Sequence, residues 1–192
     1  MYTQNHEEHY ILNYFADQKQ GRFLDLGSFD GMTFSNTFAL YELGWHGVFV
    51  EASPKIFTAL QRNCNKGRET LVNACLTCKP VSGMITFYDN DQATATTDIS
   101  HVEKWKAQTP FSPIMVMPVH INSIIATFGS NYDMVSLDIE GQSAEMFMQL
   151  FPMLPDVRLW VVEHDNRQEE IRALAKGFNV LYENGENLVL AK

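Results

Sequence analysis

The residues most suited to chemistry stand where short apolar runs end. Arg22–Leu26 (RFLDL) leads into Gly27-Ser28-Phe29-Asp30-Gly31. In open α/β sheets, ligands bind beyond the carboxyl ends of the strands. Glycine there permits a positive φ and a close backbone approach to a ligand. The spacing is G-x-x-x-G, and Phe29 stands where a dinucleotide fingerprint needs its second glycine to admit a pyrophosphate. A ligand without phosphates suits this loop better. S-adenosylmethionine is such a ligand, and Asp25 can face its ammonium or sulfonium end, directly or through water. Glu51 closes the second apolar run, where an acid can accept both ribose hydroxyl protons. Transfer of a group from such a ligand also benefits from a base, or from a metal that lowers an acceptor's pKa. Asp138, Glu140 and His164, after two further apolar runs, are the candidate catalytic residues.

The elements that must position these groups follow from periodicity. Tyr10, Ile11, Tyr14 and Phe15 predict a helix over 5–18. Buried strands are predicted at Arg22–Leu26, Gly47–Glu51, Thr70–Leu76, Asp133–Ile139 and Val157–Glu163. Helices are predicted over 33–43, after the Ser53-Pro54 start signal, over 122–128 and over 142–154. Asn166 with Glu169 resembles a capping box opening a helix through Phe178. Met84–Tyr88 alternates like an edge strand, and Ile114–Ile121 looks extended. Residues 89–113 are polar at their start and lack a period, the pattern of an acceptor-site loop. Asn184-Gly185 between two apolar-rich runs predicts a terminal hairpin. The reading is one α/β domain over 1–192: a mostly parallel, Rossmann-like sheet with helices on both faces and a C-terminal antiparallel hairpin.

Composition bounds the partners. The 192 residues include 14 basic and 23 acidic ones, a net charge of −9. That balance argues against nucleic acid and against anionic membranes. Hydrophobic residues make 45% and charged residues 19% of the chain, as in globular domains. No apolar run reaches the ~18 residues of a membrane span. The opening MYTQNHEEHY lacks a basic start followed by an apolar stretch, so the expectation is a soluble, cytoplasmic protein. Cys64, Cys75 and Cys78 fit a reducing compartment. Cys75-x-x-Cys78 has redox or zinc spacing without a second Cys or His pair, and reads as a small buried residue plus a loop thiol.

The stretch FLDLGSFDGMTFSNTFALYELGWHGVFVEASPKIFTALQRN resembles the opening of the FkbM-type methyltransferases, class I enzymes dependent on S-adenosylmethionine. The resemblance continues through Gly44-Trp45, Glu51-Ala52-Ser53-Pro54, Val72-Asn73-Ala74, Asp138-Ile139-Glu140-Gly141 and Val162-Glu163-His164. It covers most of 22–165, and the loop at 89–113 matches little. It implies a class I methyltransferase fold with a seven-stranded sheet, and O-methyl transfer onto a small-molecule or carbohydrate hydroxyl. The expected cofactor site comprises Asp25, Gly27, Ser28, Gly31, Glu51 and Ala52, with Asn73, Ala74 and Cys75 beside the adenine. Asp138 with Asp165-Asn166 resembles the magnesium site of catechol-type O-methyltransferases. Such an all-oxygen set suits magnesium, manganese or calcium. Two alternatives stay open: a nicotinamide-dependent oxidoreductase, against which Phe29 counts, and a non-catalytic S-adenosylmethionine-binding module.

Overall fold

The computed structural model describes all residues, 1–192. Its centre is a seven-stranded sheet in the order β10-β11-β9-β8-β1-β2-β3. The strands are β1 (Arg22–Leu26), β2 (His46–Glu51), β3 (Glu69–Asn73), β8 (Met134–Leu137), β9 (Leu159–Glu163), β10 (Asn179–Glu183) and β11 (Asn187–Ala191). Five of them, β3-β2-β1-β8-β9, run parallel; β11 joins β9 antiparallel and β10 joins β11 antiparallel. The order reverses at β1, which lies between β2 and β8. A crevice therefore opens beyond the carboxyl ends of these three strands.

Side chains alternate across the sheet and build two apolar layers. Leu24, Leu26, Val48, Val50, Val135 and Leu137 face a cluster of 24 buried residues on one side. That side is covered by α5 (Ile121–Phe128), α6 (Ser143–Leu150) and α7 (Gln168–Leu174). Phe23, Phe49, Met134 and Val161 face a cluster of 15 on the other. There the cover is α1 (Glu7–Tyr14), α2 (Phe38–Glu42) and α3 (Pro54–Asn63). Helix α3 begins as its sequence predicts: Ser53 Oγ accepts from Ile56 N at 3.3 Å and Pro54 takes the first turn. No helix is long and apolar enough to cross a membrane.

The structure departs from the predicted elements where side chains divert the backbone. Phe34 is left-handed (φ 59°), and Ser35 Oγ accepts from Phe38 N at 3.0 Å. Residues 33–37 are thus a capped loop, and α2 is shorter than 33–43. Helix α1 likewise starts only after left-handed His6 (φ 73°). The predicted strand 70–76 divides, because β2 ends at Glu51, the partner of Asn73. Beyond it, β4 (Cys75–Thr77) pairs instead with β7 (Pro118–His120) in a separate sheet. The predicted edge strand is β5 (Ile85–Asp89), which pairs with β6 (Ser112–Val116) away from the main sheet. Within 89–113 lies a helix, α4 (Ile99–Trp105), capped by Asp98 Oδ1 on Ser100 N at 2.8 Å. The capping box is absent: Asn166 is left-handed (φ 58°) and α7 starts two residues later.

The terminal hairpin turns at Asn184-Gly185, where Asn184 Oδ1 accepts from Glu186 N and Asn187 N at 2.8 and 2.7 Å. Buried Glu7 fastens α1 to it. Glu7 Oε1 accepts from the side-chain amides of Asn184 and Asn187 at 2.7 and 3.0 Å.

Candidate active site

A cleft lies at the carboxyl ends of β1, β2 and β8. Asp25, Gly27, Ser28, Glu51, Ala52 and Ala74 line it, and residues 92–97 roof it. Gly27 has φ +85°, and a Cβ there would stand 1.8 Å from the Asp138 carbonyl oxygen. Only glycine lets the first strand end this close to the neighbouring one. Gly27 N and Ser28 N both donate to Val50 O at 3.0 Å. Phe29, itself left-handed (φ 50°), donates its N–H to Glu51 Oε2 at 3.0 Å. Gly31 N donates to Ser28 O at 2.9 Å. The loop spends these four N–H groups on its own chain, which leaves them unable to cradle a phosphate.

The carboxylates are held by specific partners. Glu51 Oε1 accepts from Ser53 N at 2.7 Å, opposite the Phe29 contact. Burial nevertheless pushes Glu51 up to about 7, with Asp89 adding to the rise and those two N–H groups opposing it. Asp25 also rises to about 7 through burial, opposed by the Thr37 hydroxyl that donates to its Oδ2.

At the far end of the cleft, one carboxylate oxygen each of Asp138, Glu140 and Glu163 lies within 4.8 Å of the others. This small acidic cluster could coordinate a divalent cation. Withdrawal from water raises all three pKa values. After burial, the Glu140 charge adds to the rise of Asp138, which a hydrogen bond with Glu163 opposes; the Asp138 charge adds to the rise of Glu163; and Glu140 is pushed to about 8 by burial and then by Glu163. Ser143 Oγ donates to Glu163 Oε2 at 2.8 Å. His101 Nε2, on α4, stands 3.1 Å from Glu140 Oε2.

Several residues expected from sequence are placed otherwise. Buried His164 is not a cleft residue; its Nδ1 accepts from Asn166 N at 3.1 Å and its Nε2 faces Asn184 O at 3.3 Å. Both ring nitrogens are tied to backbone, so it does not stand as a base. Asp165 Oδ2 accepts from Ala144 N at 2.8 Å, at the start of α6. The carboxylate oxygens that gather with Asp138 are those of Glu140 and Glu163. Gly31 lies outside the cleft, where a Cβ would come within 2.5 Å of Leu60 Cδ1 on α3. Asn73 also lies outside and braces the wall: its Nδ2 donates to Glu51 O at 2.8 Å. Ala74 and Cys75 line the cleft beside Phe87. Sequence reasoning did not assign roles to Glu163, Thr37 or Ser143. The available signal for Glu163 was an acid closing an apolar strand, as Glu51 does.

No residue lining the cleft is Lys, Arg or His, whereas Asp25, Glu51, Asp138 and Glu140 all face it.

No protein-family model matches the sequence, and no curated protein is similar to it in sequence. The structure has solved counterparts. A putative methyltransferase, yhhF, from Escherichia coli matches with a TM-score of 0.54 at 12% identity, over 100% of this chain and 88% of that one. The SAH-bound Podospora anserina methyltransferase PaMTH1 matches with a TM-score of 0.54 at 10% identity, over 98% and 79%. A protein of the NADB-Rossmann superfamily from Streptococcus agalactiae matches with a TM-score of 0.51 at 15% identity, over 100% and 70%. The seven-stranded sheet with its terminal hairpin is the Rossmann-like class I methyltransferase fold.

Proposed function

We propose that this protein is an S-adenosylmethionine-dependent methyltransferase acting on a hydroxyl oxygen of a small molecule or sugar. The observation that carries this reading is the cleft with four carboxylates and no basic side chain. S-adenosylmethionine brings a sulfonium and an ammonium to such a site. A dinucleotide brings two phosphate charges, which these carboxyls repel once they ionise. The buried, braced Glu51 suits a ribose, Ala74, Cys75 and Phe87 suit an adenine, and Asp25 suits the amino-acid end. The bound cofactor supplies a methyl group on sulfur for in-line displacement, a reaction that rests chiefly on positioning. Asp138 and Glu140, both in the cleft wall, are the groups placed to take the acceptor proton. The Asp138–Gly141 and Glu163-His164 motifs support an FkbM-type enzyme within the class.

A divalent ion is a second reading, supported by the spacing of Asp138, Glu140 and Glu163. The all-oxygen set favours magnesium or manganese, and such an ion would offset the mutual repulsion of the three carboxylates. Calorimetry with manganese checks this directly: binding lost in Glu163→Gln supports it, and no binding to the wild-type protein ends it.

Thermal shift with S-adenosylmethionine, its demethylated product and NAD tests the main reading. A ligand bound only by the folded state raises the melting temperature by mass action. A rise with the first two and none with NAD is expected. The reverse pattern would establish the oxidoreductase alternative.

A further inference from the structure

Beside the donor cleft lies a second, open hollow to which the proposed chemistry gives no role. Its walls come from the end of β4, from β5, and from the starts of α4 and α6. Thr97 and Gln142 line both cavities, and Gln142 Nε2 donates to Thr97 Oγ1. That side-chain pair forms a shared wall between the two spaces. Val81, Ile85 and Ile99 supply an apolar surface to the second cavity, with Thr77 and Thr86 among them. Val81 and Ile99 are 45% and 55% exposed. At the rim, Lys79 Nζ pairs with Glu145 Oε1 at 3.3 Å, and Asp98 Oδ1 accepts from Ser100 N at 2.8 Å.

We infer that this cavity receives the distal, apolar part of the acceptor, and that the acceptor is an elongated molecule: a hydroxyl at one end of an aryl or alkyl body. The inference rests on the methyltransferase reading. Its geometry is set by the loop after β8. Glu140 lines the donor cleft and Gln142 forms the shared wall. Two residues span at most ~7 Å of backbone. A hydroxyl delivered to Glu140 carries its remaining atoms toward the Thr97–Gln142 pair, which parts to let the body reach the apolar surface beyond. A compact, fully polar acceptor would leave Val81, Ile85 and Ile99 facing water; an apolar body covers them.

The probe is a series of 4-alkylphenols of increasing chain length, titrated by calorimetry with and without the demethylated cofactor. Affinity should rise about four-fold per added methylene, the equivalent of ~0.8 kcal/mol. Ile99→Trp and, independently, Val81→Trp fill the cavity from solvent-exposed positions. Each should flatten that increment while leaving the affinity for the demethylated cofactor within two-fold of wild type. An affinity independent of chain length overturns the inference, as does an increment that survives both substitutions. If the cofactor product fails to bind while the chain-length increment persists and is lost on filling, the cavity assignment stands and the methyltransferase reading falls.

Discussion

Glu51 accepts from Phe29 N of the loop after β1 and from Ser53 N of its own loop, and stays open to the cleft. Its replacement by Ala should weaken binding of S-adenosylmethionine and its product by ~1–3 kcal/mol, the usual loss for hydrogen bonds to a charged group. Calorimetry reads this, and an unchanged affinity would move the ribose contact elsewhere. With Asp25 and Glu51 both raised to about 7, the two carboxyls ionise as pH climbs through neutrality. Affinity for the cationic donor should therefore increase between pH 6 and 8, and more steeply than affinity for the neutral thioether product. Parallel curves for the two compounds would remove these carboxylates from charge recognition. His164 gives a contrasting expectation. Its ring joins the loop after β9 to the hairpin turn, so His164→Ala should lower stability by ~1–3 kcal/mol and leave the pH profile of catalysis in place. A lost acidic limb in that profile would restore it as the base.

The roof, residues 92–97, is tied down at few points. Thr96 bridges to Tyr88 through backbone and donates its hydroxyl to Glu140 O at 2.8 Å, and Thr97 meets Gln142. Amides of 93–95 should exchange with solvent faster than those of β8, and should slow when the cofactor product binds. Exchange as slow as in β8 under both conditions would make the roof a fixed wall. Much of this level was legible in the sequence, because parallel strands buried on both faces write themselves as apolar runs, and the acids closing them mark the ligand edge. The break between β3 and β4 was not. Residues 70–76 read as one run, and only the end of β2 decides where pairing stops. The brief α2 was hidden for a similar reason: Phe34 and Phe38 share a helical period, yet Ser35 and left-handed Phe34 bend the chain between them. The composition of the acidic cluster depends on which strand ends become neighbours, and local spacing does not encode that. Asp165 and Glu163 are equally plausible from sequence, and the start of α6 claims the former.

For the whole molecule, the buried carboxylates set how stability depends on pH. Asp25 and Glu51 ionise near 4 in an unfolded chain and near 7 in the folded one. The folded state therefore holds their protons more tightly. Their contribution to stability is complete below the unfolded values and is lost as pH rises through about 7. Denaturant unfolding of the ligand-free protein should show a midpoint that declines from pH 5 to pH 8. Asp25→Asn should flatten the decline; an equally steep decline in that variant would place its origin elsewhere. The clasp of Glu7 on Asn184 and Asn187 bears on how the molecule comes into being. A ribosome emits Glu7 about 180 residues before its two amide partners. Throughout synthesis, Ile11 and Phe15 have no hairpin to lie against, and the Glu7 carboxylate remains in water. A nascent chain arrested before residue 184 therefore lacks the hairpin side of the helix's seat, and holds that helix only through earlier partners such as Trp45.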